Sequence, residues 1–326
     1  NYIDSATGIP VISLYGKKRR PSAEDLADVD IMLFDIQDVG VRFYTFISSL
    51  EEYMNAAFEN KKPLILLDRP NPNGYYIDGP VLEMEYKSFI GMKPVPIVYG
   101  MTIGEYALML AGEKWLTPKA NEQAAYYKNA ENTADTAFHF LVIKCANYTH
   151  KSLYNLPVKP SPNLPDIQSI YWYPTTCFFE GTVLSEGRGT DHPFCIFGHP
   201  SITTKNAYSF TPTSRDGAKE PKLKNQLCYG WNLYNDNANT VKKKVNCKIQ
   251  IGYLIDAYKA FPNKEKFFLQ PKSGKPTDFF FNKLAGNSQL MQQIIDEKSE
   301  TEIRESWKEK LDAFKQIRKN YLLYED

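Results

Sequence analysis

Apolar positions along the first third of the chain change period from segment to segment. Val29–Ile36 (VDIMLFDI) and Pro63–Leu67 (PLILL) are near-continuous apolar runs, the pattern of strands buried on both faces. Between them, in Tyr44–Glu59, the residues Phe46, Leu50, Tyr53, Met54, Ala57 and Phe58 recur at helical spacing. Ile9–Tyr15 and Ala137–Ile143 read as further strands, and Pro21-Ser22 opens a predicted short helix with Glu24 and Asp25 in its first turn. Thr102 and Glu105 make a T-x-x-E capping box at the start of a helix spanning Ile103–Gly112. Strands alternating with helices in this way predict an α/β fold around a parallel sheet.

The stretch Leu156–Pro165 is dense in proline and breaks the pattern. It divides the chain into a first domain over 1–160 and a second over 161–326, whose signals are mixed and rich in loops. The chain closes on an amphipathic helix: Ile303, Trp307, Leu311, Phe314 and Ile317 follow one face, and Ser299 with Glu302 forms a second capping box. No internal repeat or low-complexity tract interrupts this plan.

Charge narrows the function classes. Lys+Arg number 39 against 38 Asp+Glu, a net charge of +1, without the basic excess of a nucleic-acid binder. The run Lys17–Arg20 reads as a solvated loop. No stretch approaches the roughly 18 apolar residues that span a bilayer. Asn1 is not an initiator Met, so the first residues carry no information on localisation. Cys145, Cys177, Cys195, Cys228 and Cys247 lie far apart with no C-x-x-C pair, and read as core thiols. The 22 Tyr, 19 Phe and 4 Trp suit a carbohydrate binder, although core packing accounts for most such rings.

In open α/β sheets, ligands bind beyond the carboxyl ends of the strands. The first such end carries Asp35, Gln37, Asp38, Arg42 and Tyr44, and the second Asp68, Arg69, Asn71 and Asn73. If the two strands are neighbours, these groups share one cleft; the alternative is that they cap helices and pair locally. A third polar run, Glu180-Gly181-Thr182 and Ser185–Asp191, places glycines on both sides of Arg188, where the backbone can turn sharply against a ligand or simply form a surface loop. No G-x-G-x-x-G, Walker loop or G-x-S-x-G occurs, so neither a nucleotide cofactor nor the common serine-hydrolase form is expected. His139, His150, His192 and His199 lack H-x-x-x-H spacing and read as structural rather than metal ligands. Ser185 beside Asp191-His192 is a poor triad, because sequence neighbours rarely point at one another. What remains is carboxylates and arginines in loops, the usual equipment of glycoside hydrolysis without metal or cofactor.

Several segments, taken together and in order, carry a family pattern. They are Val29–Thr45 (VDIMLFDIQDVGVRFYT), Leu67–Asn71 (LDRPN), Asp78–Leu82 (DGPVL), Gly100–Glu105 (GMTIGE), Ser161–Pro165 (SPNLP), Phe179–Thr190 (FEGTVLSEGRGT) with Pro193-Phe194, and Phe281–Gly286 (FNKLAG). The chain resembles the NamZ-type exo-β-N-acetylmuramidases along nearly its whole length. The resemblance implies a Rossmann-like domain joined to a smaller α+β auxiliary domain, with a shallow cleft between them. It also implies release of N-acetylmuramic acid from the non-reducing end of peptidoglycan fragments by a periplasmic or secreted protein. The family's leading catalytic glutamate lies in a G-P-E-H-G segment upstream of the first matched motif, and the resemblance therefore places it before Asn1.

Within residues 1–326, Glu186 is the first expected catalytic carboxylate and Asp38 the second. Arg42, Arg69 and Arg188 are expected at the lactyl carboxylate of the sugar, Asp68, Asn71 and Asn163 at its hydroxyl and acetamido groups, and Glu180 among the substrate-binding residues. Tyr44 is expected on the cleft wall, with Ser161 beside Asn163. The expected partner is a peptidoglycan-derived glycan or muropeptide. Two other readings stay open: an esterase or amidase on the same polymer, or a muropeptide-binding module that kept the cleft and lost the chemistry.

Overall fold

The fold was taken from a computed structural model, which describes residues 1–130, 140–205 and 207–326, leaving aside the side chains of 125–130. The chain opens with a two-stranded antiparallel hairpin, β1 (Tyr2–Ile3) and β2 (Pro10–Val11). The strand expected over Ile9–Tyr15 shrinks to these two residues. The helix expected after Pro21 is a series of turns over 23–28. Its segment has no apolar stripe to dock, and the reciprocal bonding of Ser22 with Asp25 (N to Oδ2, 2.7 Å) closes a local turn instead.

Next come β3 (Met32–Phe34), α1 (Phe46–Glu59), β4 (Leu64–Leu67), α2 (Ile103–Gly112), α3 (Pro118–Ala130) and β5 (Phe140–Ile143). The three strands form a parallel sheet in the order β3-β4-β5, with Met32 opposite Leu64 and Leu64 opposite Phe140. Residues 137–139 of the expected strand lie outside the described residues. Met32, Phe34, Leu64 and Leu66 join one core with Ile47, Leu50, Met54 and Phe58 of α1 and Ile103, Tyr106 and Leu110 of α2. The apolar runs are nevertheless not buried on both faces, as their sequence suggested. Ile31 and Leu33 of the first run are exposed, and Ile65 and Leu67 of the second are only half-buried. The capping box of α2 forms as its sequence dictates, with Thr102 Oγ1 accepting from Glu105 N and Glu105 from Thr102 N.

The second half holds α4 (Ile167–Thr176), the antiparallel strands β6 (Ile196–His199), β7 (Tyr208–Phe210) and β8 (Cys228–Asn232), and the helices α5 (Ala238–Val245), α6 (Gly252–Ala260), α7 (Phe280–Ala285), α8 (Gln289–Ile295) and α9 (Glu300–Arg318). The strands lie in the order β6-β8-β7. Their core contains Trp172, Phe178, Phe197, Leu254 and Phe281. Helix α9 spans both cores. Its Ile303, Trp307 and Leu311 join the second cluster, whereas Phe314 joins that of the parallel sheet. A single amphipathic stripe thereby fixes one half against the other. Arg42 makes a second tie: fully buried, it donates to Pro80 O (3.0 Å) and Val95 O (2.7 Å) on one side, and to Leu284 O and Ala285 O (2.8 Å each) at the end of α7 on the other.

Candidate active site

Two loops of the second half converge on one charged group. A short 3-10 turn, Cys177–Gly181, continues α4 and carries Glu180. Further on, Gly187 (φ +82°) and Gly189 (φ +81°) hold the backbone in the left-handed region on each side of Arg188, which only glycine adopts without strain. A Cβ at Gly187 would stand 2.6 Å from Ile196 O, so the tight approach to β6 excludes other residues as well. Arg188 Nη2 donates to Glu180 Oε1 at 2.5 Å, and its guanidinium carbon stands 5.2 Å over the Phe194 ring. Its Nε lies 3.6 Å from Glu186 Oε1 and, although buried, has no hydrogen-bond partner among the described residues. Lys222 completes the group. Its ammonium stands 2.8 Å from Glu186 Oε2 and donates to Phe179 O (2.6 Å) and Thr182 O (3.2 Å). Two carboxylates thus face two cations.

Glu180 and Arg188 form one wall of a cavity of about 370 Å³. The first half of the chain contributes Tyr44 and Thr45 to its lining, and the proline-dense connection contributes Ser161 and Asn163. Tyr44 OH donates to Pro160 O at 2.6 Å and Asn163 Nδ2 to Gly217 O at 2.9 Å, so both side chains are fixed before any ligand arrives. Burial pushes the Glu180 carboxyl up from its ordinary pKa against the opposing pull of Arg188. Burial, with a smaller contribution from Asp38, likewise raises the Tyr44 phenol.

The two strand-end clusters do meet, because β3 and β4 are neighbours, but they meet as structure. Asp35 Oδ1 accepts from Arg69 Nε at 2.6 Å on the surface; Gln37 Nε2 donates to Pro70 O, and Asn73 Nδ2 to Val39 O. Asn71 is buried, with Nδ2 on Met101 O and Oδ1 accepting from Asn73 N at 2.8 Å each. It lies so close to Gly40 (φ +75°) that a Cβ there would stand 2.1 Å from its Oδ1. Asp68 accepts from Gly104 N (2.8 Å), Thr102 Oγ1 (2.7 Å) and Tyr324 OH (2.6 Å), which caps α2 and fastens the C-terminal segment. Asp38 is buried beneath the turn, accepting from Gly40 N and Tyr99 OH; desolvation pushes it up to about 6. None of Asp38, Arg42, Asp68, Arg69 or Asn71 lines the cavity. Arg42 and Asn71 spend hydrogen bonds on the backbone and Asp68 on the α2 cap, so in this structure these three side chains are engaged within the protein. Of the expected site residues, Tyr44, Asn163, Glu180 and Arg188 line the cavity, and Glu186 stands behind Arg188.

Comparison with known proteins gives the family and the fold. The N-terminal domain of exo-β-N-acetylmuramidase NamZ matches residues 1–168, and its C-terminal domain residues 171–324. The peptidoglycan β-N-acetylmuramidase NamZ of Bacillus subtilis (strain 168) is 37% identical, over 99% of this chain and 74% of its own length. The chain belongs to the NamZ family. Two crystal structures of DUF1343 family proteins from Bacteroides fragilis NCTC 9343 share the fold. One has a TM-score of 0.85 at 45% identity and the other 0.73 at 27%; each match covers 99% of this chain and 82% of the other.

In this NamZ-family chain the weak triad dissolves. Ser185 Oγ accepts from Gly187 N, Asp191 pairs with Arg215, and His192 stacks on Tyr234 at 3.8 Å. His150 is buried between Glu105 (2.9 Å) and Asp326 (3.0 Å), a structural setting, while His139 lies outside the described residues. Cys177, Cys195 and Cys228 are buried free thiols; Cys145 is half-buried and Cys247 exposed. No group of three metal-binding side chains occurs among the described residues. Among them, too, no helix is long and apolar enough to cross a membrane. Sequence reasoning missed Lys222, which sits in a charge-rich loop between β7 and β8 where no local pattern sets it apart. It also missed Tyr15, Ile90 and Phe280 of the cavity lining, whose only signal was aromatic or aliphatic character.

Proposed function

We propose that this protein is an exo-acting glycoside hydrolase that releases N-acetylmuramic acid from the non-reducing end of peptidoglycan fragments. One observation carries the reading: the relative described as a peptidoglycan β-N-acetylmuramidase aligns with 99% of the chain at 37% identity. The site adds physical support. A cavity of about 370 Å³ lies at the small end of ligand sites and suits one sugar, as removal of a terminal residue requires. Arg188 presents its planar guanidinium on the cavity wall, a fork suited to the lactyl carboxylate, the group that separates N-acetylmuramic acid from N-acetylglucosamine. Asn163 and Tyr44 stand ready for the acetamido and hydroxyl groups. Glu180 is the one carboxylate of the expected set on the cavity wall, and its raised pKa suits a general acid. Glu186, held between Arg188 and Lys222, is assigned to positioning the guanidinium. Because peptidoglycan lies outside the cytoplasmic membrane, the same reading puts the protein in the periplasm or the medium.

The test is incubation of the full-length protein with a chromogenic β-N-acetylmuramide beside the corresponding glucosaminide. Hydrolysis of the muramide alone is expected. Hydrolysis of neither, or of the glucosaminide in preference, removes the proposal.

A further inference from the structure

The same cavity shows an asymmetry between its floor and its mouth. Glu180 and Arg188, polar and partly buried, lie inside, whereas Tyr15 lines the cavity while being 94% exposed. Short-range bonds shape its loop, and one contact ties it to the rest of the chain. Ser13 N donates to Asn1 Oδ1 at 2.9 Å, and Tyr15 N reaches Ser13 Oγ at 3.3 Å. After the tyrosine, Arg19 Nε donates to Gly16 O at 3.2 Å while its guanidinium stands 3.9 Å over the Phe89 ring. The phenol ring therefore stands at the rim of the cavity with almost no cover. Ile90 and Phe280, both half-buried, line the same cavity and add apolar surface.

Resting on the function proposed above, we infer that Tyr15 is the platform for the leaving sugar, the residue joined to the anomeric carbon of the terminal N-acetylmuramic acid. A cavity with room for one sugar leaves the next at its mouth. A β-linked pyranose with equatorial substituents presents a face of C–H bonds, and an exposed aromatic ring removes that face from water without requiring a hydrogen bond. Tyr15 therefore sets the preference for a glycan over other leaving groups. Contact of roughly 55 Å² of apolar surface corresponds to a factor of about 10 in binding.

The experiment compares Tyr15→Ala and Tyr15→Phe with the wild type on two substrates. One is the disaccharide of N-acetylmuramic acid β-linked to N-acetylglucosamine. The other is β-N-acetylmuramyl fluoride, whose one-atom leaving group cannot reach the rim. Tyr15→Ala is expected to lower kcat/KM about tenfold on the disaccharide, mostly through KM, and to leave the fluoride unchanged. Tyr15→Phe should retain activity on both. Equal losses on both substrates, loss confined to the fluoride, or no loss on either overturns the inference. If the wild type turns over neither substrate, the proposed function fails, an outcome distinct from the failure of Tyr15.

Discussion

Arg188 reaches Glu180 at 2.5 Å on the wall of the cavity, while its buried Nε stays unbonded 3.6 Å from Glu186. The guanidinium as a whole is about a third exposed and lines the cavity, so a carboxylate can approach its fork from that side. With Lys222 on the far side of Glu186, the group is neutral as it stands. On the function proposed above, an incoming lactyl carboxylate would compete with Glu180 for the fork and favour its protonated form.

Arg188→Met should lower kcat/KM on a β-N-acetylmuramide by about 10- to 150-fold, the equivalent of one charge-assisted hydrogen bond. The loss should nearly vanish on a substrate whose lactyl carboxylate has been reduced to an alcohol. Steady-state kinetics on the two substrates, after a melt to confirm folding, decides the matter. An equal loss on both would mean that Arg188 serves structure or chemistry instead of recognition.

Glu180 and Glu186 are separated by replacing each with glutamine. A general acid contributes about 10²- to 10⁴-fold, so Glu180→Gln should lose activity in that range. Glu186→Gln keeps the shape of the support behind Arg188 and should stay within about tenfold of the wild type in kcat, with the change falling on KM. The reverse order of effects would return the catalytic role to Glu186.

Arg42→Met is expected to act on stability rather than on the sugar. It leaves the carbonyls of Pro80, Val95, Leu284 and Ala285 without their shared donor in a buried seam. Breaking a buried charged network costs about 3–5 kcal/mol, which denaturant unfolding would measure directly. A folded, stable variant with a selective defect on carboxylate-bearing substrate would restore Arg42 to sugar recognition.

Asp38 predicts a pH signature. Its carboxyl is raised by burial to about 6, so the folded protein holds that proton more tightly than the unfolded chain. The contribution is therefore most favourable below the ordinary carboxylate pKa and is lost as pH rises through about 6, in total about 3 kcal/mol. Asp38→Asn cannot titrate. The stability of the wild type relative to this variant should fall by about that amount between pH 4 and pH 7, measured by urea melts at each pH. A constant difference would show that Asp38 is charged throughout.

Local rules in the sequence determined the elements whose causes are themselves local. Capping boxes at Thr102 and Ser299, the helical stripe of α1 and the stripe of α9 are properties of neighbouring residues, and each element forms where its pattern ends. The strands β3 and β4 and the glycine-flanked Arg188 were legible for similar reasons, since each announces itself over a few positions, whereas the pairing of β3 with β4 was open in the sequence. The identity of the ligand-facing groups was a different kind of question. Arg42, Asp68 and Asn71 look like site residues because they are polar and stand at strand ends, but a polar group can spend its hydrogen bonds inward or outward. Only the tertiary structure decided that, by bringing Leu284 and Ala285 to Arg42 from far along the chain and Tyr324 to Asp68. Lys222 and Tyr15 had no local mark at all. One acquires its place because the loop between β7 and β8 returns to Glu186, the other because an exposed turn ends beside a cavity built by residues from several distant parts of the chain. Period and propensity act over a few residues, whereas burial and partnership are set by whatever the fold carries in from elsewhere.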